Sequence, residues 1–294
     1  MNIVNFGSMN IDYVYRLDEF LRPGETKAAR NRTIYCGGKG LNQSIACARS
    51  GLSIYHVGLI GTEGRFLKDK LDENGVHTDY THDTDATCGH AIIQVNDHGQ
   101  NSILLFPGTN ALLTENLVDE VLCQFSENDV VLLQNETNLI PYIMRESAHK
   151  AMRIAFNAAP YSSEVKDFPI HLVKWLFVNE IEGSSLSDQT KPQRIVTQLR
   201  QMYPNTDVIL TLGAEGCIYA GVDGYFEVPA VNVVPVDTTA AGDTFTGYFL
   251  YGILNGFDAL RSLQIASQAC AIAIIRLGAS DSIPFQEEVK LTTL

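Results

Sequence analysis

No apolar run in this chain reaches the roughly 18–20 residues that a membrane-spanning helix needs. The longest suspect, Ala266–Ile275, is broken by Ser267 and Gln268 and followed by Arg276. Cationic residues are scarce: 21 Lys and Arg stand against 34 Asp and Glu, a formal net charge of −13. That balance excludes broad contact with a nucleic-acid backbone, which relies on clustered Lys and Arg. It leaves room for a nucleotide, whose phosphates can be held by backbone N–H groups and a metal ion. No C-x-x-C pair occurs among the six cysteines, Cys36, Cys47, Cys88, Cys123, Cys217 and Cys270. Scattered in this way, they read as reduced thiols of a cytoplasmic protein. The seven histidines show no H-E-x-x-H spacing,. No repeat, low-complexity tract or Gly/Ser linker interrupts the chain,. The first residues, 1–7, lack a basic region and a long apolar stretch, and read as a first strand and not a signal peptide,.

What is present is an ordinary globular composition, 45% hydrophobic and 19% charged over 294 residues. That length suits one large α/β domain or two small ones. From Thr114 onward, helical and short apolar stretches alternate. Helices are expected over Glu115–Phe125, Leu139–Met152 and Gln193–Tyr203, and strands over Val130–Gln134, Ile154–Asn157, Trp175–Val178 and Val208–Leu212,. This alternation predicts a parallel sheet covered on both faces. Earlier in the chain, Ile3–Phe6 and Ile54–Ile60 fit the same rhythm, as do helices over Leu41–Arg49 and Gly64–Asn74. The more polar stretches Tyr13–Leu17, Thr26–Tyr35, Cys88–Val95 and Ser102–Phe106 do not. They predict a small β appendage, about residues 12–36 and 88–106, able to close over a ligand at the carboxyl ends of the strands.

Four segments carry candidate chemistry. In 236–247, VDTTAAGDTFTG, an apolar strand-like run (Val231–Val236) precedes a helical stretch (Thr244–Leu254). Small residues at Ala240, Ala241 and Gly242 let backbone N–H groups approach an anion at the positive end of that helix. Asp243 beside them either caps the helix or takes a proton from an attacking hydroxyl. The second segment, Gly37-Gly38-Lys39-Gly40-Leu41-Asn42, matches neither G-x-x-x-x-G-K-[ST] nor G-x-G-x-x-G,. It is either a plain glycine turn into a helix or a close approach to a polar ligand, with Lys39 and Asn42 as donors. Asn10 and Asp12 follow the first strand; two apart, they form an Asx turn or chelate neighbouring sugar hydroxyls,. Asn179 and Glu182 form a capping box, face phosphates and the water around Mg²⁺, or do both,. Glu136, at a strand end, is a further acceptor candidate, and Thr211–Gly216 either shapes a nucleotide pocket or turns a hairpin.

Together and in this order, the segments resemble the ribokinase branch of the PfkB sugar kinases, from Asn5 to about Glu287. VDTTAAGDTF is similar to that family's C-terminal signature, and GGKG-x-N to its N-terminal one. The resemblance implies a ribokinase-like α/β fold: a doubly wound, mostly parallel sheet flanked by helices, with a small β-sheet lid. It implies one kinase domain over 1–294, and a homodimer clasped through the lid. It makes Asp243 the base and Ala240, Ala241 and Gly242 the anion hole. Asn10, Asp12, Gly38, Lys39, Asn42 and Glu136 match sugar-binding positions. Asn179, Thr211, Gly213, Gly216 and Gly242 match ATP-binding positions, with Ser267 beside adenine. Glu182 matches an acid associated indirectly with Mg²⁺. Asp237, Thr239, Ala273, Arg276, Gly278 and Ser282 match the site of a monovalent cation, usually K⁺. Four positions depart from the pattern: Glu63 in a G-x-D segment, Ala158 in N-P-x-P, and Thr246 with Tyr248 after G-D-T-F.

The expected activity is therefore phosphorylation of a free pentose, D-ribose on its 5-hydroxyl, by MgATP. The alternatives are a nucleoside or hexose-type kinase of the same family, and a catalytically silent sugar-sensing protein. Neither nucleic acid nor membrane is an expected partner.

Overall fold

The computed structural model describes residues 1–289. The chain enters through β1 (Ile3–Phe6), a strand buried on both faces. It then leaves the main sheet for β2 (Asn10–Arg16) and β3 (Asn31–Gly37), and returns through α1 (Lys39–Arg49). β4 (Ile54–Gly61), α2 (Arg65–Glu73) and β5 (His77–Thr84) build one edge of the main sheet. β6 (Gly89–Val95) and β7 (Asn101–Phe106) go back to the second sheet. Regular alternation follows: α3 (Glu115–Leu122), β8 (Val130–Gln134), α4 (Ile140–His149), β9 (Arg153–Asn157), β10 (Trp175–Asn179), α5 (Glu180–Ser187), α6 (Pro192–Met202) and β11 (Asp207–Thr211). The hairpin β12 (Cys217–Gly221) and β13 (Gly224–Val228) closes the other edge, before α7 (Ala241–Leu254) and α8 (Ala259–Ile274).

The main sheet has nine strands in the order β13-β12-β11-β10-β9-β8-β1-β4-β5. All its neighbours are parallel except β11–β12 and β12–β13. Side chains of a strand alternate between faces, and each face here is covered, so both sets are apolar. Trp175 and Phe177 pack with Leu41, Ile45, Phe249 and Leu263 from α1, α7 and α8. Leu176 and Val178 pack with Val118, Ile143 and Leu199 from α3, α4 and α6. The second sheet has four strands in the order β3-β2-β6-β7, with β2–β6 parallel and both outer pairs antiparallel. It is the small β-sheet lid of a ribokinase-like α/β fold.

Two expectations about local structure fail. Val231–Val236 is no strand: the segment is irregular, and Val234 is 84% exposed. Its apolar pattern has no partner strand in the sheet. β5, conversely, was not expected, because HTDYTHDT carries almost no apolar signal; pairing with β4 alone makes it a strand.

The chain order reverses at β1, which has β4 on one side and β8 on the other. Such a switch point opens a crevice at the carboxyl ends of the strands, where ligands of open α/β sheets bind. The candidate residues that follow β1, β8, β10 and β11 all lie at carboxyl ends.

Candidate active site

A cleft of about 450 Å³ lies at the carboxyl ends of β9, β10 and β11, lined among others by Lys39, Asn179, Glu182, Thr211, Ala241 and Asp243. The start of α7 forms one wall. Ala240 takes a left-handed conformation (φ 60°) that a residue with a Cβ adopts at a cost of about 1 kcal/mol,. The turn lets Ala241 N–H bond the Thr238 carbonyl (3.2 Å) while the helix begins immediately after. No side chain caps this end. The first N–H groups of a helix have no partner within it, so those of Gly242 and Asp243 are available to a ligand. A Cβ on Gly242 would meet nothing within 4 Å; the backbone there faces open space.

Asp243 sits in the first turn, 6% exposed. Its Oδ2 accepts from Asn42 Nδ2 (3.0 Å) and its Oδ1 from Gln43 Nε2 (2.9 Å). Lys39 lies among three carboxylates. Burial opposes its charge, but the pull of Asp243, Glu136 and Glu182 prevails and holds its pKa above the ordinary lysine value. A fixed cation thus stands beside the mouth of α7.

The second group of candidates gathers around the start of α1. Gly38 is left-handed (φ 96°), and a Cβ there would come within 2.8 Å of the Ser8 carbonyl. A Cβ on Gly37 would collide with the Asp12 carboxylate. The two glycines therefore let the loop run against β2. Glu136 Oε2 accepts from the Lys39 N–H (2.9 Å) and from Ser8 Oγ (2.5 Å), and Ser8 Oγ accepts from the Gly40 N–H (3.1 Å). Glu136 is thus no free strand-end acid; it is bound at the positive end of α1. Burial, with a smaller push from Glu136, raises the pKa of Asp12 to about 7.

Asn10 Oδ1 accepts from Asn110 Nδ2 (2.7 Å), while Asn110 Oδ1 accepts from the Met9 N–H (3.0 Å). This leaves the Asn10 amide N–H₂ as the group it can offer to a ligand. Asn110, Gln43 and Ser8 carry no motif that singled them out. Each stands next to a motif residue in space, and only Ser8 and Gln43 are also its neighbours in sequence.

On the far side of the cleft, Asn179 and Glu182 form the complete capping box of α5. Asn179 N–H and Nδ2 donate to Glu182 Oε2 and Oε1 (2.8 and 2.9 Å), and the Glu182 N–H donates to Asn179 Oδ1 (3.0 Å). Burial wins over those donors and raises the pKa of Glu182. Thr211 and Gly213 line the cleft. Gly216 (φ 107°) answers to the hairpin, since a Cβ there would collide with the Val228 carbonyl. Ser267 is buried in α8, with its Oγ 3.9 Å from Cys217 Sγ; it does not line the cleft.

The cation candidates tie two loops together. Asp237 Oδ1 accepts from the Thr239 N–H and Oγ1 (2.9 and 2.6 Å), and Oδ2 from the Gly278 N–H (3.1 Å). Burial works against the charge of Asp237, yet these donors hold its pKa below the usual carboxylate value. The Ala273 carbonyl accepts from the Arg276 N–H (3.0 Å), Ser282 Oγ donates to the Ala279 carbonyl (2.9 Å), and the Arg276 guanidinium pairs with Glu288. Arg276 can therefore offer a cation only its carbonyl. The remaining donors are hydroxyl, carboxylate and carbonyl oxygens, a set that suits a hard cation. Among the described residues, no cluster of His, Cys, Asp and Glu could hold a metal ion directly. No described helix is long and apolar enough to cross a membrane, and all six cysteines are free.

The chain matches the pfkB family carbohydrate kinases over residues 1–286. It is 30% identical over 292 residues to a ribokinase of Haemophilus influenzae, covering 96% of this chain and 95% of that one. A ribokinase of Bacillus subtilis is 31% identical over 297 residues, covering 98% of both. Among solved structures, the ribokinase of Cryptococcus neoformans in complex with ADP has a TM-score of 0.83 at 30% identity, covering 98% of both chains. The ribokinase of Arabidopsis thaliana complexed with ribose and ATP has a TM-score of 0.85 at 26% identity, covering 98% of this chain and 97% of that one. A family match that spans nearly the whole chain, on a cleft built from both signature segments, places this protein in the pfkB family of carbohydrate kinases.

Proposed function

We propose that the protein transfers the γ-phosphoryl group of MgATP to the 5-hydroxyl of D-ribose. The observation that carries this reading is Asp243. Its carboxylate is held by two amides at the open end of α7, between the cleft and the residues around α1. Ribose and ATP in the Arabidopsis relative, and ADP in the Cryptococcus one, support the choice of substrates.

In this reading, the sugar lies against Asn10, Asp12, Gly38, Lys39, Asn42 and Glu136. Asn10 donates to a hydroxyl and Asp12 accepts from one. Asp243 removes the proton of the 5-hydroxyl, whose oxygen attacks the γ-phosphorus as ADP leaves. Charge on the transferred group spreads toward the open N–H groups at the Ala240–Gly242 turn, those of Gly242 and Asp243, and toward Lys39. Asn179, Thr211, Gly213 and Gly216 shape the nucleotide side, with Ser267 behind it. Bound with the nucleotide, Mg²⁺ would neutralise phosphate charge; Glu182, whose oxygens accept from Asn179, would act on its water shell through Asn179 and through charge. The oxygens of Asp237, Thr239, Ser282 and the carbonyls of Ala273, Arg276 and Gly278 would hold K⁺ beside α7.

The chain acts as one domain, with the second sheet closing over the sugar. β7 is exposed along its whole length, with Ile103, Leu104, Leu105 and Phe106, and Ile34 and Tyr35 are exposed on β3 at the opposite edge of the same sheet. A second copy covering this sheet and its exposed apolar residues would give a homodimer, and the reading places the protein in the cytoplasm. An ADP-coupled panel of sugars and nucleosides, run with and without K⁺, tests the assignment. Ribose is expected to be the best substrate, with K⁺ raising the rate. A nucleoside or hexose turning over faster than ribose would overturn it.

A further inference from the structure

We propose that Gln43 is a positioning residue for Asp243, locked in one amide orientation by Gln134. The proposal rests on reading Asp243 as the base. A side-chain amide can present either its oxygen or its N–H₂, and its neighbours decide which. Here the choice is made at a backbone carbonyl, which can only accept. Asn5 Nδ2 donates to the Gly40 carbonyl (2.9 Å) and to Ser44 Oγ (2.8 Å). Asn5 Oδ1 therefore faces the other way and accepts from Gln134 Nε2 (3.0 Å). The same Gln134 N–H₂ group donates to Gln43 Oε1 (2.8 Å). Gln43 is left with its N–H₂ toward Asp243 Oδ1 (2.9 Å). Asn5, Gln43 and Gln134 are all at most 1% exposed, so water does not substitute for any of them.

The chain of amides settles how the carboxylate lies. Asn42 holds one oxygen and Gln43 the other. Lys39 is the competitor, and Asp243 is the carboxylate that acts on it most strongly. Without the Gln43 donor, the carboxylate is free to turn toward that ammonium and away from the hydroxyl it must deprotonate. Holding this geometry leaves Gln134 Oε1 buried without a partner, a cost that a side chain present only for packing would not incur. Buried networks of this kind act as units, because each bond polarises the next.

The test is steady-state kinetics with ribose and ATP. Gln43→Met keeps length and volume but removes the donor. It is expected to lower kcat about 10- to 100-fold, the worth of one hydrogen bond to a charged group. KM for ribose and for ATP should stay within about threefold of the parent, because no substrate contact is removed. Gln134→Met should lower kcat by a smaller factor, and the double variant no further than Gln43→Met alone, since both act through one chain. Should Gln43→Met fail to fold, Gln43→Glu keeps the size and an acceptor for Gln134 while facing Asp243 with a second carboxylate; it should lower kcat with KM preserved. Parental kcat in a folded Gln43 variant, a loss confined to KM, or additive losses in the double variant would each overturn the proposal. Asp243→Asn serves as the reference. If it stays active, the base assignment falls; if it is dead while Gln43→Met matches the parent, only the positioning role falls.

Discussion

Two helices begin in this cleft with left-handed turns, and they treat their positive ends in opposite ways. At α1, Gly38 makes the turn and the chain supplies its own anion: Glu136 accepts from the Lys39 N–H and from Ser8. At α7, Ala240 makes the turn, no side chain caps the end, and the backbone at Gly242 faces open space. The first helix end is occupied by Glu136, which holds Ser8 and the start of α1 in place. The second is left for a group that comes from outside. α5 follows the first pattern, with its capping box complete. An anion hole, on this view, is a helix end that the protein declines to cap, next to ends that it caps with care.

The largest expected effect comes from removing the one carboxylate that belongs to the open end. Asp243→Asn should lower kcat by about 10²–10⁴-fold, the usual worth of a general base. The new amide has one oxygen for the two donors of Asn42 and Gln43, so a modest drop in melting temperature should accompany it. A variant with near-parental kcat would erase the distinction between the two helix ends, since Asp243 would then be only a first-turn acid like Glu182.

A second change separates openness from chemistry. Gly242→Ala places a methyl where no protein atom lies within 4 Å. The folded protein should tolerate it, and replacing a helical glycine should add about 0.5–1 kcal/mol of stability. Because the methyl stands at the mouth of α7, kcat should fall by about 10²-fold, as when an oxyanion donor is lost. Thermal unfolding and turnover measured on the same sample check both signs. A variant that is more stable and equally active would mean that no phosphoryl group lies at this turn.

The open end was legible in the sequence, and much of the closed one was not. Ala240, Ala241, Gly242 and Asp243 are consecutive, so a local pattern of small residues before an acid announces them. The capping box also lies within four residues. Around α1, the partners come from far along the chain: Glu136 meets Lys39 across 97 positions and Asn110 meets Asn10 across 100. No spacing rule reaches that far. Gly37 and Gly38 were visible as glycines, but their reasons, the Asp12 carboxylate and the Ser8 carbonyl, exist only once β2 and β3 pair. The same limit explains the two misread segments. Val231–Val236 has strand-like composition without a neighbour, and β5 has a neighbour without strand-like composition.

The smallest expected effect concerns the closed end, and it is read in pH. Burial, reinforced by Glu136, raises the pKa of Asp12 to about 7. If the ionised carboxylate accepts a sugar hydroxyl, protons compete with the sugar below that point. KM for ribose should then rise as pH falls through about 7, approaching about tenfold per unit well below it. KM for ATP should not follow, because Asp12 does not line the cleft beside α7. Glu136→Gln keeps an oxygen for the Lys39 N–H and removes the negative charge. The repulsion that helps to hold a proton on Asp12 is then gone, so the inflection should move to lower pH. The loss of charge at α1 should cost a few-fold in KM near neutral pH, consistent with a helix-end interaction of about 0.3–1 kcal/mol. An inflection that stays in place in this variant would mean that burial alone sets the Asp12 proton, and that the acid at α1 positions its neighbours without acting on their charge.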